Sequence, residues 1–110
     1  MPGDQSYTNG EYIFREGESA VFAYIVKSGN VEITKHAAAG EQVLAELAPP
    51  TIFGEMALID RNPRSAGARA KGATVVTEVT EAAVLAYLRQ NPEAAVRIIN
   101  NISETLRVSN

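Results

Sequence analysis

The sequence predicts a mainly β fold: an antiparallel β-roll, jelly-roll-like, of about eight short strands, broken by one short helix and followed by a C-terminal amphipathic helix. Three observations carry that expectation. Apolar residues alternate with period two through most of the chain, turn residues punctuate the runs, and only two stretches abandon the strand pattern.

Phe22, Tyr24 and Val26 alternate with Ala23, Ile25 and Lys27, and Val31 and Ile33 with Glu32 and Thr34. Val43, Ala45 and Leu47 alternate with Leu44 and Glu46, and Val75, Thr77 and Val79 with Val76 and Glu78. Each run puts one set of side chains on a buried face. Asn9-Gly10, Gly17, Ser28-Gly29-Asn30, Gly40, Pro49-Pro50 and Gly72 read as the turns between strands. The roll is expected over about residues 7–87 of a single domain covering 1–110.

The first break is Gly54-Glu55-Met56-Ala57-Leu58-Ile59-Asp60, rich in helix formers and flanked by Phe53 and Asn62-Pro63. It suits one or two helical turns. The second is the C-terminus, where Asn91 suits an N-cap, Pro92 a first helical position and Glu93 the positive end of the dipole. Ala95, Ile98, Ile99, Ile102 and Leu106 recur at helical spacing, with Arg97, Asn100, Asn101, Ser103, Glu104 and Arg107 between them. A helix over about 92–108 follows from this pattern. Its apolar stripe suits packing on the roll, a homodimer seam or a lid over a ligand, and all three remain open.

Composition removes several function classes. Among 110 residues, 45% are hydrophobic and 21% charged, an ordinary globular balance. Ten Lys and Arg against thirteen Asp and Glu leave a charge of −3, which disfavours a nucleic-acid partner held by phosphate contacts. With no Cys there is no disulfide, thiol catalysis or thiolate metal site. One His, His36, argues against a metal-dependent barrel enzyme of the cupin kind, which needs a cluster of imidazole ligands. No apolar run approaches a membrane span, and Met1–Gly10 lacks a signal-peptide layout, so the cytoplasm is the expected compartment. No catalytic residue, metal or cofactor is expected.

The informative stretch runs from Phe53 to Ala66. A short helix leaves its first N–H groups without partners, and those donors suit an anion. Gly54 allows close backbone approach. Pro63 stiffens the path to Arg64, which is expected to start a strand beside the helix N-terminus and whose planar fork suits a phosphate. Ser65 adds a hydroxyl. Glu55 would repel a bare phosphate, but suits a ligand that also offers a hydroxyl donor, such as a ribose.

Gly54-Glu55, the apolar helical turn and Pro63-Arg64-Ser65-Ala66 resemble the phosphate-binding cassette of the cyclic nucleotide-binding domain family, whose members include catabolite-activator-type regulators, protein kinase A regulatory subunits and nucleotide-gated channels. Gly10–Glu18 is similar to that family's first strand and turn, and Tyr24–Ile33 to its second hairpin. The resemblance implies a non-enzymatic regulatory module whose ligand is cAMP or cGMP. It implies that Glu55 bonds the ribose 2′-hydroxyl and that Arg64 pairs with the cyclic phosphate, helped by Ser65 and by backbone N–H groups near Met56, Ala57 and Ala66. Gly54 would lie close to the ribose. Ser after the cassette Arg occurs in bacterial cAMP regulators, which favours cAMP over cGMP. Binding would be transmitted through the C-terminal helix to an effector outside this sequence.

Three departures are visible. The strand signal starts almost at Met1, without the family's leading helices. Leu85–Pro92 is short where the family has a further helix, and Gly67 and Ala68 replace a hydroxyl and a β-branched residue. The competing reading is a degenerate β-roll that no longer binds nucleotide and serves as an oligomerisation or docking module, with Glu55 and Arg64 as a structural ion pair and Ser65 as a strand-start hydroxyl. Without ligand, Arg64 is expected to be hydrated or paired with an acid. His36, Glu16 and Glu18 are expected on the surface, and Arg69 and Lys71 on a solvated strand face.

Overall fold

The architecture was obtained as a computed structural model that describes residues 3–93. Its elements are β1 (Asp4–Tyr7), β2 (Tyr12–Phe14), β3 (Ala23–Ala37), β4 (Gly40–Leu47), β5 (Ile52–Phe53), α1 (Glu55–Asp60), β6 (Gly67–Val79) and α2 (Glu81–Gln90). The strands form one antiparallel sheet in the order β1-β6-β3-β4, with β2 also on β6 and β5 also on β3.

The expected antiparallel β-roll is present, with six strands among the described residues rather than about eight. Two supposed turns lie inside long strands. Ser28-Gly29-Asn30 sits within the fifteen residues of β3, and Gly72 within the thirteen of β6. The register of β3 on β6 shifts between Val26 and Ser28 and again between Ser28 and Asn30, so the chain bulges and bends there instead of reversing. Gly29 makes this possible. Its φ is +78°, and a Cβ there would stand 2.3 Å from the Ala73 carbonyl oxygen.

Alternation sorts the faces. Tyr24, Val26, Val31, Phe53, Ala68 and Val76 form the core, with Phe14, Phe22, Ile33 and Leu47 packed against it. The outward face carries Arg69, whose Nε donates to Glu32 at 2.9 Å and whose Nη1 donates to Glu41 at 3.0 Å, and Lys71, which donates to Glu46 at 3.2 Å. The solvated face expected for Arg69 and Lys71 is therefore cross-linked by charge.

The last part of the expected 7–87 roll is helical. Thr80 caps α2 by accepting from the Ala83 N–H at 3.1 Å, and Glu81 occupies its first turn. The expectation that Leu85–Pro92 lacks a helix is thus corrected: ten residues with a capped start form one. The sheet itself spans Asp4 to Val79. Asn91, expected as an N-cap, terminates α2, its side-chain amide donating to the Tyr87 carbonyl at 2.8 Å. Pro92 and Glu93 have helical backbone, and the rest of the expected C-terminal helix lies outside the described residues. Among the described residues, no helix is long and apolar enough to cross a membrane.

Candidate functional site

The chain leaves β5 at Phe53 and enters α1 through Gly54, whose left-handed φ of 77° starts the helix without a side-chain cap. Arg61, at φ 58°, ends α1 and turns the chain back through Asn62 and Pro63. Arg64 is thereby returned to the N-terminal end of α1. It does not start a strand, because β6 begins at Gly67.

The Arg64 side chain is buried, with the residue only 4% exposed. Its Nη1 donates to the Gly54 carbonyl and its Nη2 to the Phe22 carbonyl, each at 2.6 Å. The guanidinium carbon stands 3.9 Å from the centre of the Phe14 ring, a cation–π contact out of water. Nε is buried and has no hydrogen-bond partner. Burial pulls the Arg64 pKa below the ordinary arginine value, while Tyr24, Glu18 and Glu55 act in the opposite direction. An arginine guanidinium nonetheless stays charged at neutral pH.

This corrects two expectations. Arg64 is neither hydrated nor paired with an acid, and no ion pair joins it to Glu55 among the described residues. Two main-chain carbonyls and an aromatic face solvate the cation instead. They come from sequence-distant strand ends that converge on the start of α1.

The expected residues are brought together unevenly. Gly54 and Arg64 are in direct contact. Glu55 is half-buried in the first turn of α1, next to them, and Met56 and Ala57 follow on the same helix, also half-buried. Ser65 is exposed and Ala66 half-buried, between Arg64 and β6. A cleft of about 210 Å³ lies along α1 and is lined by Ser19, Ala20, Ala57, Arg61, Asn62 and Glu81, among others. Ala57 alone of the expected site residues borders it.

Sequence reasoning missed the Phe14 ring, the Phe22 carbonyl and the bonds between the turn before β3 and Arg64. The Gly17 N–H donates to the Arg64 carbonyl and the Arg64 N–H donates to the Glu18 carbonyl, both at 2.8 Å. The turn is closed by the Glu18 carboxylate, which accepts from the Arg15 N–H at 2.6 Å. Glu18 is exposed as expected, whereas Glu16 is half-buried and bonded to Lys35 and to the His36 N–H. Gly17 and the resemblance of Gly10–Glu18 to the family's first strand and turn pointed to this region, and neither carries a hint of its partner. Among the described residues, no group of three or more His, Asp or Glu could hold a metal.

On its other face, α1 packs on α2. Leu58, Val84 and Ala23 form a second buried cluster with Ile59, Val79 and Leu88 against it, and Arg61 pairs with Glu81 at 3.0 Å. The element that holds the Gly54 carbonyl against Arg64 is therefore fixed to the helix that leads out of the roll.

A family model described as "Cyclic nucleotide-binding domain" matches residues 4–91. The "Cyclic AMP receptor protein" of Thermus thermophilus is 34% identical over 102 residues, which is 92% of this chain and 47% of that protein. The chain thus spans about half the length of the curated relatives it matches. The catabolite activator protein of Thermus thermophilus matches in structure with a TM-score of 0.76 at 32% identity, covering 98% of this chain and 51% of that one. The EAL enzyme Bd1971 in its cAMP-bound form matches with a TM-score of 0.78 at 32% identity, over 97% of this chain and 29% of that one. Its cGMP-bound form gives 0.77.

Proposed function

Because the chain belongs to the cyclic nucleotide-binding domain family, we propose that it is a regulatory module that binds a 3′,5′-cyclic nucleotide, cAMP in preference to cGMP, and passes binding on through its C-terminal helix. It works by binding and not by catalysis. The observation that carries this reading is Arg64, a buried cation beside the uncapped start of α1 with its Nε–H unspent. A buried donor without a partner costs about 1–3 kcal/mol, and an anion that reaches it recovers that cost.

In this reading Arg64 takes the cyclic phosphate, assisted by Ser65 and by backbone N–H groups of Met56, Ala57 and Ala66. Glu55 takes the ribose 2′-hydroxyl, and Gly54 permits close approach. Together they select a cyclic ribonucleotide. The preference for cAMP rests on Ser65 and on relatives whose names state cAMP, although one structural neighbour binds both nucleotides. A homodimer through the C-terminal helix and an effector beyond this sequence complete the proposal.

One observation favours the second reading, a β-roll that docks or oligomerises without ligand. Arg64 already donates to two carbonyls, so the protein satisfies much of it internally. Parallel calorimetric titrations of the chain with cAMP and cGMP decide between them. Saturable binding with cAMP the tighter ligand supports the module, and absence of heat with both overturns it.

A further inference from the structure

Three main-chain polar groups on the arm that carries Arg64 are tied down from outside the cassette. The Arg64 N–H and carbonyl bond to Glu18 and Gly17, as described, and the Ser65 carbonyl accepts from Lys35 Nζ at 2.7 Å. The same ammonium donates to Glu16 Oε2 at 3.3 Å, and Glu16 Oε1 accepts from the His36 N–H at 3.1 Å. The links close a circuit: turn to Arg64, Arg64 to Ser65, Ser65 to Lys35, Lys35 to Glu16, and Glu16 back to the turn. Only the Lys35 and Glu16 links are made by side chains.

As a device for stability this circuit is poor. The Lys35 side chain is 49% exposed, and an exposed pair of this kind gains little while it immobilises a long side chain. Its placement is informative instead. From the exposed end of β3, next to the buried Thr34, Lys35 grips the residue immediately after the buried arginine. Glu16 offsets its charge, so Lys35 is spent on the Ser65 carbonyl and is not a second free cation.

We infer that Lys35, braced by Glu16, is a positioning residue that holds Ser65 and the Arg64 arm in register for the cyclic phosphate without touching the ligand. The inference rests on the reading of the cassette given above. With the arm pinned by both backbone and side chain, the anion meets donors already in place, which lowers the ordering cost of binding.

The test is a double-mutant cycle on the full chain, read by calorimetry with cAMP and with cGMP and by melting without ligand. Lys35→Met is expected to weaken binding about three- to tenfold while the unliganded melting temperature stays within about 2 °C. Lys35→Arg restores affinity, and Lys35→Met costs less in a Ser65→Ala background, where the hydroxyl it places is gone and only the Arg64 arm is left to hold. Full affinity in Lys35→Met, unchanged affinity in Ser65→Ala, or losses that simply multiply in the double variant each overturn the inference. So does a melting loss that accounts for the weaker binding. If the unaltered chain binds neither nucleotide, the proposed function falls and takes this inference with it. If it binds and Lys35→Met binds equally well, only the inference falls.

Discussion

Arg64 occupies the space that a side chain on residue 54 would need. A Cβ built on Gly54 would stand 2.7 Å from Arg64 Nη1 and 3.1 Å from the Phe14 ring, at a backbone φ of +77°. Gly54 was expected to admit a ligand; in the fold it first admits the protein's own arginine. Gly54→Ala therefore incurs left-handed strain of about 1 kcal/mol and also displaces the guanidinium. The melting temperature is expected to fall by at least about 4 °C, with weaker nucleotide binding. An unchanged melt would mean that residue 54 tolerates a side chain and that the contact is loose.

Arg64→Ala separates the two jobs of this residue. It strands the buried-side carbonyls of Gly54 and Phe22, for about 1–3 kcal/mol of stability. It also removes the cation, for about 2–5 kcal/mol of binding, or some 1.5–3.5 decades in Kd. Arg64→Lys is expected to recover little of either, because a point charge cannot bridge two carbonyls and cover the Phe14 ring. Urea denaturation reads the first effect and calorimetry the second. A variant that unfolds more easily yet binds cAMP normally would assign the phosphate to other groups.

Glu55→Gln keeps the shape of the side chain and loses its charge. If Glu55 accepts from the ribose 2′-hydroxyl, the preference for the ribonucleotide over its 2′-deoxy analogue shrinks, since a neutral acceptor makes the weaker bond. The measurement is the ratio of the two dissociation constants, before and after substitution. A ratio that does not move removes Glu55 from the ribose.

Much of this was legible in the residues, and the failures have physical causes. Period-two alternation found β3 and β6 because each has a buried face. Strand β4 alternates too, but it is exposed from Gly40 to Glu46, so the buried face expected for Val43 and Ala45 is absent. The cassette was legible because Gly54, Pro63 and Arg64 are tied to local geometry. Gly29 and Gly72 were misread because a positive φ serves a bulge as well as a turn, and only the register on a partner strand distinguishes them. Helix α2 was missed because Val84 and Leu88 alone face inward, so its apolar signal is faint beside its cap at Thr80. The surroundings of Arg64 were illegible for another reason. Phe14, Phe22 and Glu18 reach it across more than forty residues, two of them through main-chain groups that any side chain would supply.

Acid should loosen the fold from its edges. Glu16 is held below the usual carboxylate range by the His36 N–H and Lys35, Glu41 by the Tyr12 hydroxyl, Glu11 by Thr8, and Asp4 by Lys27 and Thr77. Each group binds its proton more weakly folded than unfolded. Their stabilisation is thus complete above the ordinary values of 4.5 for Glu and 3.8 for Asp, and is lost as pH falls through the lowered ones. The melting temperature is expected to be flat from about pH 5 up to the onset of tyrosine ionisation, and to decline steadily below about pH 5. A melting temperature that rises on acidification would contradict these assignments.

The apolar contact between α1 and α2, and not their ion pair, should carry any signal out of the site. Arg61 and Glu81 are 76% and 37% exposed at their side chains, so their pairing is screened and contributes about 0–1 kcal/mol. Val84 is 2% exposed between Leu58 and Ala23, and Val84→Ala costs about 1.5–3 kcal/mol in lost burial and cavity. Because the sequence has no Cys, a cysteine placed at the exposed Leu85 takes a single fluorescent label on α2. Nucleotide addition is expected to change its emission in the otherwise unaltered chain and in Glu81→Gln, and much less in Val84→Ala at saturating ligand. The reverse pattern would make the exposed pair the link, since two helices joined only by charge would lose their coupling when that charge is removed.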